Sequence, residues 1–305
     1  MQKIRGVFTA IVTPFDQNGK VDAEGLRRNI RHQVASGVDG IVALGTTGEA
    51  PTLSHKEKEL VISIAADETR GKAVLMVGTG TYSTQDTIEE TKMAKNLGAD
   101  AALIVAPYYN KPTQEGLYKH YKAINDAVSL PILVYNIQGR TGINIQTDTL
   151  KRIADLPSVI GVKEASGNLS QISDVIEQVG RTRINFSVMS GDDGMTLGLM
   201  ALGGDGVISV VSNLLPLPVI AMVNAIADGD LNEARDLHFK LMPLIRGAFI
   251  ETNPMPIKAV MQMWGMPAGN CRLPLCEVTP ETEQKLKRIL NNSSALRPRE
   301  RELVS

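Results

Sequence analysis

Val159-Ile160-Gly161-Val162-Lys163 is an apolar, strand-forming run that ends on a lysine. The period of two in a strand places Lys163 on the face of Gly161 and opposite Val162 and Ile160. If the valine and isoleucine meet helices, the lysine points into whatever the strands enclose. Working outward, seven more runs of this kind occur, at 7–13, 40–44, 73–77, 101–106, 132–135, 186–190 and 206–210. Segments of helical period lie between them. Asp22 is a candidate N-cap before the stripe Leu26, Ile30 and Val34, and Ser54 with Glu57 forms a capping-box pattern. Leu169, Ile172, Ile176 and Val179 are expected on one helical face.

Strands that alternate with helices are parallel and joined by right-handed crossovers. Eight such units, recurring about every 30 residues, predict an α/β fold of the closed (β/α)₈ TIM-barrel type. After the eighth run only helical pattern remains, punctuated by Gly229-Asp230, Asn253-Pro254, Gly265-Met266-Pro267 and Leu273-Pro274. The expected layout is a barrel core over 1–217 and a small all-helical C-terminal extension over 218–290. A polar tail over 291–305, with Pro298 and the run Arg299-Glu300-Arg301-Glu302, is expected to be disordered.

The 305 residues are 43% hydrophobic and 21% charged, with a net charge of −1, which is globular composition. That balance argues against nucleic acid or an anionic membrane as partner. Cys271 and Cys276 stand alone and read as free thiols of a reducing compartment. No apolar run suits a signal peptide or a membrane span, so a cytoplasmic protein is expected. His32, His55, His120 and His238 have no metal-ligand spacing, and neither metal nor cofactor is expected.

A barrel of this kind carries its chemistry at the C-terminal ends of the strands. Polar residues gather there: Gly45-Thr46-Thr47-Gly48-Glu49, Pro107-Tyr108-Tyr109-Asn110, Tyr135-Asn136 with Arg140-Thr141-Gly142, Lys163-Glu164-Ala165, and Ser190-Gly191-Asp192-Asp193. A lysine within low-dielectric walls loses solvation, its pKa falls, and its free amine can attack a ketone. Tyr135 ends the neighbouring strand and suits proton transfer during imine formation. Thr46 and Thr47 suit a small carboxylate, and Arg140 suits a two-pronged carboxylate contact.

These segments, together with Lys111-Pro112 and Gly206-Val207-Ile208-Ser209, resemble the dihydrodipicolinate synthase family of class I aldolases, which includes N-acetylneuraminate lyase. The similarity runs from the first strand into the C-terminal helices. It implies that Lys163 forms a Schiff base with pyruvate. Tyr135 would donate and accept protons, linked through Thr46 and Thr47 to Tyr109, a tyrosine lent by the neighbouring subunit. Thr47 and the main chain at Ile208 would contact pyruvate, and Arg140 would bind the carboxylate of L-aspartate 4-semialdehyde. The implied reaction forms 4-hydroxy-tetrahydrodipicolinate on the route to diaminopimelate and lysine. It needs no metal or organic cofactor, and the implied assembly is a homotetramer of tight dimers.

Two departures from the family pattern carry expectations. Gln138 stands where the family has a proline, which predicts a looser loop around Arg140. His55 and Tyr108 match the family's lysine-inhibition cleft, but Tyr82 and Asp86 replace its asparagine and glutamate, so inhibition by lysine is expected to be weak. Three rival readings are a sister aldolase cleaving a sugar acid, a barrel that only binds a ligand, and a nucleotide site at Gly78-Thr79-Gly80. The arginine at 140 and the pair Thr46-Thr47 favour the synthase over N-acetylneuraminate lyase. The missing third glycine, with Ser83 in its place, weighs against the nucleotide.

Overall fold

The computed structural model describes residues 3–293. Within them the strands β1 (Gly6–Ala10), β2 (Gly40–Ala43), β3 (Val74–Gly78), β4 (Ala101–Val105), β5 (Ile132–Asn136), β6 (Val159–Glu164), β7 (Ser187–Ser190) and β8 (Gly206–Ser209) pair in parallel, in chain order, into a closed barrel. The alternation of strand side chains builds two layers. Val7, Ile41, Val77, Ile104, Val134, Val162, Val188 and Val207 face the helices. Phe8, Val42, Met76, Leu103, Leu133, Tyr135, Met189 and Ile208 pack inside the barrel. The interior is thus a filled core, and polar groups find room only at its open ends.

Two features break the regular pattern. Between β5 and β6 the register shifts, so that Ile132 faces Val159 while Leu133 faces Gly161. Ile160 is the extra residue of this bulge and packs against the interior cluster, not on the helix face that strict alternation predicts. At the closure, Gly206 has a φ of 152° and pairs with Gly6, and a Cβ there would lie 2.0 Å from the Gly6 carbonyl oxygen.

The intervening helices are α1 (Ala23–Ala35), α2 (His55–Thr69), α3 (Thr84–Asn96), α4 (Gln114–Ala127), the single turn α5 (Gln138–Thr141), α6 (Thr147–Ile153), α7 (Leu169–Val175) and α8 (Thr196–Ala201). Asp22 caps α1 by accepting from the Gly25 N–H at 2.9 Å, and Ser54 and Glu57 form the expected capping box on α2. Ile172, Ile176 and Val179 are buried as expected, but Leu169 is exposed at the first position of α7. That position lies at the rim, beyond the reach of the core.

Among the described residues four α-helices follow β8: α9 (Pro216–Ala227), α10 (Leu231–Ala248), α11 (Met255–Met263) and α12 (Pro280–Asn292). The sequence-level division at 217/218 falls within α9, which packs against β1 and α8. One hydrophobic core joins Val7 and Ile11 of the barrel to Val219, Leu244 and Leu286 of this segment. Helix α12 carries ordered structure through Asn292, into the start of the expected tail. The rest of that tail, 294–305, lies outside the described residues.

Candidate active site

Lys163, the last but one residue of β6, lies inside the barrel and is 6% exposed. Its register partner on β5 is Tyr135, and its Nζ lies 4.2 Å from the centre of the tyrosine ring. Space for the lysine stem comes from Gly191 on the next strand's loop. A Cβ there would come within 3.0 Å of Lys163 Cε and 2.7 Å of Ala165 Cβ. Burial removes water from the ammonium and lowers its pKa to about 7. The carboxylate of Asp193 acts in the opposite direction, and the Arg140 charge adds to the lowering.

Asp193 is held as a counter-charge by three donors: the Ser209 hydroxyl at 2.5 Å, the Val210 N–H at 2.9 Å and the Val211 N–H at 3.3 Å. Burial nonetheless raises its pKa. Across the barrel mouth, the Tyr135 phenol is pushed up to about 12 by burial. The charge of Arg140 and the nearby Thr46 hydroxyl moderate that rise. A phenol so placed keeps its proton in the resting site and has a hydroxyl neighbour through which to exchange it.

A cavity of about 300 Å³ opens above these groups, lined among others by Thr46, Tyr108, Tyr135, Arg140, Thr252 and Asn253. Arg140 lies on α5. Gln138 takes the first position of that turn, where a proline fits and its own N–H is not needed. The Gly142 N–H closes the turn on the Gln138 carbonyl at 2.9 Å, and Arg140 Nη2 donates to the Asn253 carbonyl at 3.0 Å. The turn is closed on itself, and Arg140 ties it to the segment before α11.

Of the residues singled out from sequence, Lys163, Tyr135, Thr46 and Arg140 come together at one mouth. Ile208 lies in the same barrel interior as Tyr135. Thr47 is buried on the same turn as Thr46, but its hydroxyl accepts from Asn253 Nδ2 at 3.0 Å. Tyr109 is not brought to the site within the chain. It is 89% exposed, with a positive φ of 69°. Asn253 and Asp193 are functional candidates that sequence reasoning left without a role. Asn253 follows a helix that carries no catalytic pattern, and its Oδ1 is buried in the site with no partner among the described residues. Asp193 stood in a quoted motif, but only the barrel closure shows that it faces Lys163. Gly78 and Gly80, the nucleotide alternative, serve close packing. A Cβ on Gly80 would meet the Val105 N–H at 2.5 Å.

Among the described residues no cluster of histidine, cysteine or carboxylate side chains could hold a metal ion. No helix there is long and apolar enough to cross a membrane. The profile of the dihydrodipicolinate synthetase family matches residues 3–293. The 4-hydroxy-tetrahydrodipicolinate synthase of Protochlamydia amoebophila is 56% identical over 288 residues, covering 94% of this chain and 96% of that protein. The enzyme of the same name from Methanospirillum hungatei is 48% identical, covering 94% of this chain and 98% of its own. The crystal structure of dihydrodipicolinate synthase from Thermotoga maritima superposes with a TM-score of 0.94 at 44% identity, covering 97% of this chain and 100% of that one. A barrel that buries a lysine against a tyrosine beneath an arginine-walled cavity, and that matches these proteins from end to end, belongs to the dihydrodipicolinate synthetase family.

Proposed function

We propose that this chain condenses pyruvate with L-aspartate 4-semialdehyde through an imine on Lys163, the 4-hydroxy-tetrahydrodipicolinate synthase reaction. The observation that carries this reading is the buried Lys163 amine, held near a pKa of 7 and stacked on Tyr135 at the mouth of the barrel. At neutral pH about half of it is free amine.

The neutral amine attacks C2 of pyruvate to give a carbinolamine. Water leaves with a proton supplied by Tyr135, and Asp193 faces the cationic imine that results. The Tyr135 phenolate takes back a methyl proton to give the enamine, whose carbon attacks the aldehyde. The amine of the second substrate then closes the ring and displaces Lys163, which regenerates the enzyme. Thr47 and the main chain at Ile208 contact pyruvate, and Arg140 binds the carboxylate of the aldehyde substrate. Its guanidinium is already positioned by the Asn253 carbonyl.

Tyr109, exposed within one chain, completes the proton path from a neighbouring copy in a homotetramer built of tight dimers. The protein works in the cytoplasm. Inhibition by lysine is weak, because Tyr82 and Asp86 occupy the positions of the family's asparagine and glutamate. A coupled assay across lysine concentrations checks this, and inhibition at micromolar lysine would contradict it.

The central test is borohydride reduction in the presence of pyruvate, followed by peptide mass spectrometry. A stable adduct on Lys163, absent from Lys163→Ala, supports the imine. A folded protein that traps no 2-oxo acid would sink it. Assaying ring-forming condensation beside retro-aldol cleavage of a sugar acid separates the synthase from its sister aldolases.

A further inference from the structure

Glu49 ends the turn that carries Thr46 and Thr47, in a left-handed conformation with a φ of 54°. A glutamate is strained there, so its neighbours must hold it. Its carboxylate is wholly buried. One oxygen accepts from Lys258 Nζ at 2.7 Å, the other from the Arg272 N–H at 3.0 Å. Lys258, on α11, is buried as well, and its Nζ also donates to the carbonyls of Thr13 at 3.1 Å and Asn270 at 3.2 Å. Every ammonium proton is thus used. The Thr13 hydroxyl in turn donates to the Gly48 carbonyl at 2.8 Å. The loop after the first strand, the Thr46–Thr47 turn, α11 and the loop before α12 therefore meet at one ion pair.

A pair of this kind is a poor way merely to glue elements together. Removing two charges from water is costly, and well-packed apolar residues in the same volume commonly serve stability as well or better. What apolar residues do not do is fix the direction of a carboxylate and, through it, the rotation of the turn on which it sits. Thr46 needs such a direction, since it lines the same cavity as Tyr135 and its hydroxyl lowers the pKa of that phenol. The same helix also enters beside Thr47, whose hydroxyl accepts from Asn253. We propose that Glu49 and Lys258 are positioning residues: their buried ion pair sets the Thr46–Thr47 turn and thereby the hydroxyl that serves the Tyr135 proton. The proposal rests on the imine reading above. It makes the C-terminal helices part of the catalytic apparatus.

Two variants test it. Glu49→Asp keeps both charges and draws the carboxylate back by one methylene. The double variant Glu49→Gln with Lys258→Met removes both charges and leaves no buried ion unpaired. For each, melting temperature, kcat, KM for pyruvate and borohydride trapping on Lys163 are measured beside the unaltered protein. The expected result is a melting temperature close to the unaltered one, trapping on Lys163 retained and KM for pyruvate within about threefold. Against that background kcat falls about tenfold to hundredfold, the size of loss that a displaced catalytic group produces. Unaltered kcat in either variant would overturn the proposal, as would a loss that follows only the fraction of unfolded protein. If the unaltered protein itself fails to trap pyruvate, the imine reading fails and this proposal with it. That control separates the two failures.

Discussion

Lys163 has lost its water but keeps a carboxylate in view, and that balance sets the pH at which it works. Its pKa lies near 7, because burial outweighs the pull of Asp193. In the proposed mechanism the free amine is the nucleophile, so kcat/KM for pyruvate should rise with pH through about 7 and then level off. Lys163→Arg should abolish the trapped adduct at every pH, since a guanidinium stays protonated. Tyr135→Phe keeps the ring against the lysine and removes the proton. It should lower kcat by roughly 10²–10⁴-fold while the fold survives, as a thermal melt beside the kinetics would show. Much of this was legible at the level of single residues, because a lysine, a tyrosine and two threonines at strand ends are visible in a linear sequence. Asp193 and Asn253 were not. Each owes its place to contacts that only the closed barrel makes, with Asp193 facing Lys163 from another strand end and Asn253 reaching Thr47 across 206 positions.

At the scale of elements, the barrel depends on how its ends join. Gly206→Ala would force a Cβ into the Gly6 carbonyl where β8 meets β1. It should cost about 3 kcal/mol or more and lower the melting temperature sharply. A second prediction concerns acid. Glu57, at the start of α2, is held by the Arg272 guanidinium and its pKa lies near 2. A depressed carboxylate adds stability that is fully present above its ordinary value of 4.5 and is lost as pH falls toward 2. Chemical denaturation at stepped pH should find Glu57→Gln less stable by about 1–2 kcal/mol near neutrality, with the gap closing between those two values. The strands themselves were legible from period two and the caps from their residue types. The bulge at Ile160 was not, because it arises from the pairing of β5 with β6, and a pattern read along one strand carries no register.

At the scale of the whole molecule, Tyr109 stands exposed, away from the site of its own chain. If Tyr109 of one copy serves its neighbour, Tyr109→Phe and Lys163→Ala proteins should each be nearly inactive alone. Mixed under conditions that let subunits exchange, they should regain activity, since some sites then combine an intact Lys163 with an intact Tyr109. Failure of the mixture to recover, with exchange verified by mass, would place the whole path within one chain. The sequence alone pictured the C-terminal helices as an appendage. Their part in the pocket wall was hidden because Thr252, Asn253 and Leu275 have meaning only once folded against the barrel mouth.

That placement also has a consequence in time. A polypeptide is made from its N-terminus, so all eight strands are synthesised before Asn253, Lys258 and Arg272. A nascent chain halted in that interval already carries Lys163 and Tyr135. It lacks the carbonyl that anchors Arg140 and the ammonium that anchors Glu49. In the proposed mechanism catalytic competence therefore comes late in synthesis, and an unfinished copy carries Lys163 without the contacts that anchor Arg140 and Glu49.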